Sequence, residues 1–548
     1  MNGAVSTPRG WLLPGAWYAA LAVAITWPAA LHPIAAVPGA PRTDAADSLW
    51  SLWFTAVRAH AGALPDSVGG LLNHPDGGSF WPADPLNGLL AVPLVLALGA
   101  AVAWTLLVLG HVVFAGLAAH RLGEAFEGNG YVSGTLYAAA PITLAHIHNG
   151  ASEALGGTGW LALAALAVVH LHRAPSWARV GWTALALALA AFAHAYAGVL
   201  AFVFLAAAVL FGGNGRARLL LVAAGLAGSL LAAGPAAFAL SRSTAPDNVV
   251  GIKTDKELAT IRRTIGPADP EGFVHPGDFR SPNFDKMSRY GEELVHCAYL
   301  GWVPLLAAAW SLRRSKGSGV LWFAGFTALI LAMGPVLVAD GGPVILAGRR
   351  AIPLPYLLVE PLPGFRSLSL LWRLTQLTAL ALAVLASRAS GKSAMAAAIL
   401  IALALAETRF ASPARRLPGH LNGDVAPEIA ALADAPAGAV MNYPVVGGRA
   451  YLYEQTAHGK PVTGTLNFPN NNASRKVWKA AMESAGVESG RFAGIVSAEA
   501  EKAGIRYLVV HVDAHADDDD LHTEAVRAIR EAFTPIAEST GVRVYRFW

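Results

Sequence analysis

Charged residues are scarce in this sequence. Asp, Glu, Lys and Arg make up 14% of the 548 residues, whereas 55% are hydrophobic and the mean hydropathy is +0.46. A soluble globular chain carries about 25% charged residues, so the composition excludes that class. Stretches rich in Leu, Ala and Val recur at roughly the 17–25 residues that a membrane-spanning helix needs. We therefore predict a polytopic α-helical membrane protein.

Several sequence features of other protein classes are also missing. Cysteine occurs once, at Cys297, which excludes an internal disulfide framework. The absence of a Walker-type loop, a GxGxxG turn after a strand and a nucleophile elbow argues against an ATP-driven pump and a soluble-type hydrolase. The net charge of +4 is small for this length and is better explained by loop orientation than by nucleic acid, so we expect no nucleic-acid partner.

About eleven stretches are predicted to cross the membrane, namely 11–34, 102–120, 131–146, 155–172, 180–195, 197–212, 218–240, 296–312, 319–339, 367–388 and 393–410. The first is interpreted as a retained helix and not as a cleaved signal peptide. Residues 86–99 are short for a crossing, which favours a re-entrant or interfacial segment. Residues 181–213 fit one long tilted helix or a hairpin, and the polar interruption around His194 favours the hairpin.

Lysine and arginine in the short connections predict the orientation. With the N-terminus in the cytoplasm, one set of connections carries the positive charge: Arg9, Arg121, Arg173, Arg179, Arg216, Arg218, Arg313, Arg314, Lys316, Arg388 and Lys392. The large first loop 35–101, the loops 241–295 and 340–366 and the C-terminus then lie outside. Loop 241–295 has the length of a binding loop or lid, or of a flexible connector.

The sequence changes character near residue 411, so we predict a transmembrane domain over 1–411 and a small extracytoplasmic α/β domain over 412–548. Hydrophobic runs shorten to strand length at 439–443, 505–512 and 541–548, and helical patterns occupy 473–485, 498–503 and 520–533. The acidic run Asp517–Asp520 matches no metal-binding spacing and is interpreted as a solvated turn.

The first outer loop contains four acids of interest. Asp44 and Asp47 lie three residues apart in "PRTDAADSLWSLWF", and Asp76 and Asp84 lie in "NHPDGGSFWPADPLN". In one interpretation they are helix caps and solvated turn residues. In the other, an acid at the membrane surface accepts a proton from an acceptor hydroxyl. The aromatic residues behind the first pair, Trp50, Trp53 and Phe54, are predicted to lay the helix on the membrane plane.

Further polar residues lie at or near predicted span ends. His146, His148, Asn149 and Glu153 either bind a sugar or a divalent cation such as Mg or Mn, or are ordinary interfacial residues. Arg373 lies inside a predicted span and Arg366 seven residues earlier, so both would face one groove that holds a lipid phosphate. Snorkelling to the interface is the alternative. Other candidate phosphate ligands are Arg262, Arg263, Arg280, Arg289, Arg349 and Arg350.

Several stretches resemble bacterial membrane proteins of the GT-C glycosyltransferase superfamily: "DSLWSLW", "PDGGSFWPADPLNGLLAVPL", "GYVSGTLYAAAPITLAHIHNGASEALGGTGWLAL", "YLGWVPLLAAAW" and "LPYLLVEPLPGFRSLSLLWRLTQL". The resemblance implies a GT-C-like fold, a polyprenyl-phosphate-linked sugar donor and transfer at the outer face. It also implies a catalytic acid in the first outer loop, which by position is Asp47, with Asp44 second. The adjacent Asp-Glu pair of many members is missing here.

The leading hypothesis is an integral glycosyltransferase of the bacterial inner membrane. It would move a sugar from a polyprenyl-phosphate-type carrier to a glycan, lipid or protein acceptor in the periplasm or envelope, with Asp47 or Asp44 as general base. Asp76, Asp84, His146, His148, Glu153, Arg366 and Arg373 would bind the substrates. A non-catalytic GT-C-like scaffold or lipid-glycan binding protein is the alternative. A transporter ranks last because paired charges in several helices and repeat symmetry are not apparent.

Overall fold

The computed structural model describes residues 9–41, 43–151, 155, 157–211, 214–250, 255–275, 294–312, 318–339, 342–346, 350–362, 364–391, 393–445, 448–466, 471–512 and 522–548. Several expectations concern residues outside these ranges: the substrate-binding role of Glu153, the phosphate-binding roles of Arg280, Arg289 and Arg349, the acidic turn at Asp517–Asp520 and most of the proposed lid in loop 241–295.

Helices dominate the first three quarters of the chain. They are α1 Arg9–Ile25, α2 Ala45–His60, α3 Pro85–Leu98, α4 Ala100–Ala125, α5 Gly130–Ala138, α6 Pro141–His148, α7 Gly159–Arg173, α8 Trp177–Ala193, α9 Ala195–Leu210, α10 Gly215–Ser243, α11 Asp255–Ile261, α12 Trp302–Ser311, α13 Gly319–Ala332, α14 Tyr356–Val359, α15 Thr375–Ser387 and α16 Ala394–Ala406, which continues as a π-helical turn to Ala411. Short 3₁₀ turns cover Pro270–Phe273 and Leu371–Leu374.

Within the described residues, three helices are long and apolar enough to cross a membrane alone: Ala100–Ala125, Gly215–Ser243 and Ala394–Ala411. Shorter apolar helices surround them. Local sequence sets many of the helix starts, because the side chains of Asn129, Ser176, Asn214 and Ser393 each accept a hydrogen bond from a backbone N–H of the first turn.

The predicted hairpin in residues 181–213 is confirmed. At His194 the backbone is extended, with φ −161° and ψ 138°, and helices α8 and α9 on either side pack against each other. The single span predicted at 131–146 is wrong. That stretch forms α5 and α6, which are separated at Ala139 and Ala140 because Pro141 supplies no N–H to continue the first helix.

The two ends of the helical bundle differ. One end, which we call the arginine-rich end, carries Arg121, Arg173 and Arg179, and there the N–H of Asn129 donates to the carbonyl of Ser387 at 3.1 Å. The opposite end, which we call the loop end, carries the first outer loop. There the N–H of Ala40 donates to the carbonyl of His148 at 2.7 Å.

The C-terminal residues form a four-stranded mixed sheet, as the sequence pattern predicted for three of its strands. The strands are β7 Ala439–Tyr443, β8 Ile505–His511, β9 Pro535–Glu538 and β10 Val542–Arg546, in the order β7-β8-β10-β9 with only β7 and β8 parallel. Two-residue strands elsewhere are β1 Val37–Pro38, β2 Val338–Ala339, β3 Gly342–Pro343, β4 Ile345–Leu346, β5 Arg350–Ala351 and β6 His420–Leu421. Pairing of β1 with β6 ties the first outer loop to the linker before the sheet.

Helices cover one face of this sheet. They are α19 Asn472–Ser484, α20 Ser489–Lys502 and α21 Thr523–Ala532, whereas α17 Pro427–Ala430 and α18 Gly448–His458 precede them in the chain. Val477, Trp478, Phe492 and Ile529 are buried between these helices and the strands. A capping box between Asn471 and Ser474 starts α19.

Helix α2 packs against α18 of the C-terminal chain. The Trp50 side chain is 0% exposed, its ring stacks on Phe54 at 5.0 Å between centroids, and both lie in one apolar cluster with Tyr507 and Val544 of the strands. The predicted membrane-interface stripe is therefore wrong for Trp50 and Phe54. A sequence cannot distinguish an aromatic residue at a lipid boundary from one buried under a distant sheet, since both are apolar helix positions.

Candidate functional site

Asp44 occupies the N-cap position of α2 but does not cap it, because its carboxylate makes no hydrogen bond to the first turn. The hydroxyl of Thr43 instead accepts from the N–H of Ala45 at 3.4 Å. The Asp44 carboxylate interacts electrostatically with two groups far along the chain, the Arg373 guanidinium and the His296 imidazole. The helix-cap interpretation therefore does not account for this acid.

Tight backbone packing fixes the start of α2. Gly150 adopts a φ of +57°, and a Cβ built on it would lie 2.3 Å from the Cβ of Ala45. The Ser48 hydroxyl donates to the carbonyl of Gly150 at 2.7 Å. Only glycine fits this close approach at a positive φ, so the turn after α6 determines where Asp44 lies.

Two histidines flank the Trp372 indole close to Asp44. Ring centroids of His296 and Trp372 are 5.1 Å apart in a stacked arrangement, and those of His146 and Trp372 are 5.4 Å apart. We call His146, His296, Trp372 and Arg373, together with Asp44, the Asp44 cluster. Sequence reasoning found three of these residues and missed His296 and Trp372, which are separated from Asp44 by hundreds of residues.

Several buried polar atoms at this cluster and next to it have no hydrogen-bond partner within the described residues. His146 is 2% exposed and Trp372 and Gln376 are each 1% exposed. In the described part of the chain, both imidazole nitrogens of His146, the Trp372 indole N–H and Oε1 of Gln376 have no hydrogen-bond partner. Buried polar groups are almost always satisfied, so these atoms indicate a place for ordered water or a polar ligand.

His296 lies on an extended segment that Asn149 holds in place. The Asn149 amide donates to the carbonyl of Val295 at 2.9 Å, and its Oδ1 accepts from the N–H of Val295 at 2.8 Å. Burial lowers the pKa of His296 to about 4, against the opposing effect of the Asp44 charge. The imidazole is therefore neutral near pH 7 and can donate or accept a hydrogen bond there.

The helical spacing predicted for Arg366 and Arg373 is wrong, and their shared phosphate groove remains a prediction. Residues 366–370 are not helical, and α15 begins only at Thr375. The exposed Arg366 side chain pairs with Asp255, whereas the Arg373 guanidinium lies 5.5 Å from the ring centroid of Tyr196 and faces the Asp44 charge. The predicted helical spacing failed because the chain reaches α15 through an irregular stretch and one 3₁₀ turn. Arg262 and Arg263 are both paired with Glu360.

A small cleft of about 20 Å³ has a lining that includes Ala140, Pro141, Tyr299, Ala379, Ala404 and Glu407. Three chain segments contribute both a residue that lines the cleft and a residue at or next to the Asp44 cluster. Pro141 begins the helix that carries His146, Tyr299 follows His296 by three residues, and Ala379 is three residues, about one helical turn, beyond Gln376. Only 11% of the apolar window of helix Ala394–Ala411 is buried, so the cleft borders a helix that faces mostly outward.

Glu407 lines this cleft and accepts three hydrogen bonds there. Its carboxylate accepts hydrogen bonds from the Tyr299 hydroxyl at 2.6 Å and from the N–H groups of Trp302 and Val303 at 2.6 and 2.9 Å. A carboxylate at the N-terminus of α12 is stabilised by the partial positive charge of that helix end. Sequence reasoning missed this residue, although an acid ending an apolar span was a signal that could have found it.

The remaining predicted site residues are not part of the Asp44 cluster, and some of them make hydrogen bonds within the fold. Asp47 is partly buried on the first turn of α2, and its role as base remains a prediction. Asp76 is exposed on a turn that contacts the C-terminal sheet region through the N–H of His74, which donates to the carbonyl of Val462 at 3.1 Å. Nδ1 of His148 accepts from the N–H of Gly419 at 2.9 Å.

Asp84 caps helix α3. Its carboxylate accepts from the N–H of Asn87 at 3.0 Å and from the Asn87 amide at 2.6 Å. Burial raises the pKa of Asp84 to about 7, with the two Asn87 hydrogen bonds acting in the opposite direction. A substrate-binding role for Asp84, Asp76 or His148 remains a prediction.

No group of three or more His, Cys, Asp or Glu side chains is arranged to hold a metal ion in the ranges that the structure describes. The divalent cation considered from the sequence therefore has no ligand set there.

No protein-family model matches the sequence, and a search of curated proteins gave no match. Solved structures do match. The arabinofuranosyltransferase AftD from Mycobacteria superposes with a TM-score of 0.55 at 16% identity, over 100% of this chain and 42% of AftD. The apo oligosaccharyltransferase of Archaeoglobus fulgidus superposes with a TM-score of 0.50 at 11% identity, over 92% of this chain and 70% of that enzyme.

At these identities the likeness defines the fold. The apolar helices and the two superpositions show a helical integral membrane protein. The chain shares its fold with these two enzymes, which is consistent with the GT-C-like fold that the sequence resemblance implied. The chain spans less than half the length of AftD.

Proposed function

We propose that the chain is a membrane-embedded glycosyltransferase that moves a sugar from a polyprenyl-phosphate-type lipid carrier to an envelope acceptor. One observation carries the proposal: the Asp44 carboxylate interacts electrostatically with Arg373, and the helix that follows Arg373 lines a cleft that borders a largely outward-facing helix. The GT-C fold supports it, as does the nature of the two superposed proteins, an arabinofuranosyltransferase and an oligosaccharyltransferase.

Arg373 is assigned to the phosphate of the donor, because a guanidinium offers paired donors to phosphate oxygens. The isoprenoid chain would lie along the outer side of the cleft, whose lining includes Ala140, Pro141 and Ala404, where helix Ala394–Ala411 is mostly exposed.

Asp44 is assigned as general base. It accepts the proton of the acceptor hydroxyl while the hydroxyl oxygen forms a bond to the anomeric carbon. The bond from that carbon to the phosphate oxygen breaks, and its electron pair leaves with the phosphate that Arg373 holds. A single displacement of this kind inverts the anomeric carbon. The sequence resemblance favoured Asp47, but the electrostatic coupling to Arg373 and His296 favours Asp44, and Asp47 is the second candidate.

His146, Trp372 and Gln376 are assigned to the sugar. Their buried polar atoms without partners in the described chain are neutral donors and acceptors, which suit hydroxyl groups, and the indole adds an aromatic face next to them. These groups would orient the sugar relative to Asp44.

The arginine-rich end is assigned to the cytoplasm, and the loop end with the C-terminal sheet to the outside. In intact cells lacking Cys297 through Cys297→Ser, a membrane-impermeant maleimide should label Asp424→Cys and spare Ala178→Cys. The reverse pattern would overturn the assignment.

The function is tested with the full-length protein in proteoliposomes, radiolabelled polyprenyl-phosphate pentoses and hexoses as donors, and an envelope lipid and glycan extract as acceptor. We expect label transfer with release of polyprenyl phosphate, and a loss of about 10²–10⁴-fold in Asp44→Asn, as for removal of a general base. Asp424→Asn, at an exposed acid before the C-terminal sheet, serves as the matched control and should transfer at the wild-type rate.

Full activity in Asp44→Asn would disprove the assigned base, and full loss in Asp47→Asn alone would transfer the role to Asp47. Tight donor binding without any transfer in the wild-type protein would instead favour the scaffold hypothesis.

A further inference from the structure

A second apolar groove lies at the arginine-rich end, between helices α7 and α8. It has a volume of about 340 Å³, and its walls include Leu163 and Leu166 of α7 and Leu185 and Leu189 of α8. Its polar groups are concentrated at one end, where His170 and Arg179 lie. A groove that is apolar along its length and cationic at one end is complementary to an anionic amphiphile, which has an apolar chain and a negatively charged headgroup.

In the part of the chain that the structure describes, no carboxylate lies within ion-pair distance of Arg179 at the cationic end. Nη1 of Arg179 donates to the carbonyl oxygens of His170 and Ala174, at 3.0 and 2.8 Å. The charges of both Arg179 and Arg173 act on His170, and Glu127 acts on Arg173. The head of the groove is therefore electropositive.

The length of the groove distinguishes a glycerophospholipid from a polyprenyl-linked lipid. Arg179 and Leu189 are ten residues apart on α8, which is about 15 Å along the helix axis. One leaflet of a hydrocarbon core about 30 Å thick has the same depth. An acyl chain of a glycerophospholipid fits this length within one leaflet, whereas the much longer isoprenoid of a sugar carrier does not.

Tryptophans mark the level of the membrane interface at the same place. Trp177 and Trp182 are each 70% exposed on α8, on either side of Arg179 in the sequence. Exposed tryptophans are enriched at the headgroup level of a bilayer. They would hold the Arg179 guanidinium at the height of lipid phosphates.

We propose that the groove between α7 and α8 is a binding site for an anionic glycerophospholipid, with the lipid phosphate at Arg179 and one acyl chain along the leucines. The site lies at the opposite end of the bundle from the Asp44 cluster and is independent of the proposed transferase activity. Its charge selects an anionic headgroup, and its apolar length selects an acyl chain.

Native mass spectrometry of the full-length protein in detergent, titrated with phosphatidylglycerol or phosphatidylcholine, tests the proposal. Phosphatidylglycerol should bind at least about tenfold more tightly to the wild-type protein, since one ion pair lost from a partly buried site corresponds to about that factor. Arg179→Gln should abolish the preference, and Arg179→Lys should retain most of it. Arg216→Gln, an exposed arginine at the same end, is the matched control and should behave as wild type.

A second variant tests the apolar part. Ala167→Phe fills the groove and should weaken binding of both lipids several-fold, with the melting temperature measured alongside to verify folding. Equal binding of the two lipids to the wild-type protein, an undiminished preference in folded Arg179→Gln, or tighter binding of undecaprenyl phosphate than of phosphatidylglycerol would overturn the proposal.

Discussion

The indole N–H of Trp50 donates a hydrogen bond of 2.6 Å to Oε1 of Gln455. The amide of Gln455 in turn donates to the carbonyl oxygens of Leu71 and Lys460, at 2.7 and 2.9 Å. One buried amide thus joins the acid-bearing helix α2, the rest of the first outer loop and the C-terminal chain. The loop that carries Asp44 is thereby tied to the C-terminal chain.

Trp50→Phe removes this hydrogen bond and leaves a buried acceptor on Gln455 without its donor. We expect the free energy of unfolding to fall by about 1–3 kcal/mol, the cost of an unsatisfied buried polar group. Thermal unfolding in detergent measures it. Trp177→Phe changes an exposed tryptophan of the same type and should leave the melting temperature unchanged, so equal melting of the two variants would contradict the role of the bond.

Gly150→Ala should displace the start of α2. Its new Cβ would collide with Ala45, and a positive φ disfavours any side chain. The expected results are a lower melting temperature and, given the proposed base, a large fall in transfer rate as Asp44 moves. Gly181→Ala is the matched control, because nothing lies within 4 Å of a Cβ built there and alanine favours a helix. Wild-type activity in Gly150→Ala would show that the acid does not depend on this turn.

Asp84 should make stability depend on pH. Its pKa is about 7 in the folded chain against an ordinary 3.8, so between these values the folded protein holds a proton that the unfolded chain has released. The free energy of unfolding contributed by this group therefore falls as pH rises from about 4 to 7. Asp84→Asn keeps a capping side chain but cannot ionise.

The melting temperature of Asp84→Asn relative to wild type should accordingly increase from pH 4 to pH 8. Asp76→Asn, which alters an exposed acid of the same loop, should follow the wild-type profile throughout. A constant difference between Asp84→Asn and wild type over this range would show that the carboxyl titrates normally.

The sequence predicted the local features of the fold well. The break at His194 and the strands near Ala439, Ile505 and Val542 were visible because polar interruptions and short β-rich runs are encoded by neighbouring residues. The break before Pro141 was missed because the flanking residues are as apolar as a continuous span. The helical spacing predicted between Arg366 and Arg373 was also wrong, because the chain there is irregular.

The candidate site was predicted only in part. Asp44, His146 and Arg373 stood out because a charged or ionisable group beside an apolar run is unusual. His296 and Trp372 could not be joined to them, since the contacts that bring four chain segments together depend on helix packing and on the two hydrogen bonds between Asn149 and Val295. The burial of Trp50 was invisible for the same reason: its partner Gln455 is 405 residues away.

The contact between helix α2 and the C-terminal chain has a consequence for how the molecule is assembled. Trp50 precedes its partners Gln455, Tyr507 and Val544 by hundreds of residues, so the nascent chain carries an open aromatic surface on α2 until those partners have been synthesised. A chain cut short before Ala439 lacks the partners that bury Trp50, and we expect its α2 to stay uncovered even after the apolar helices have inserted.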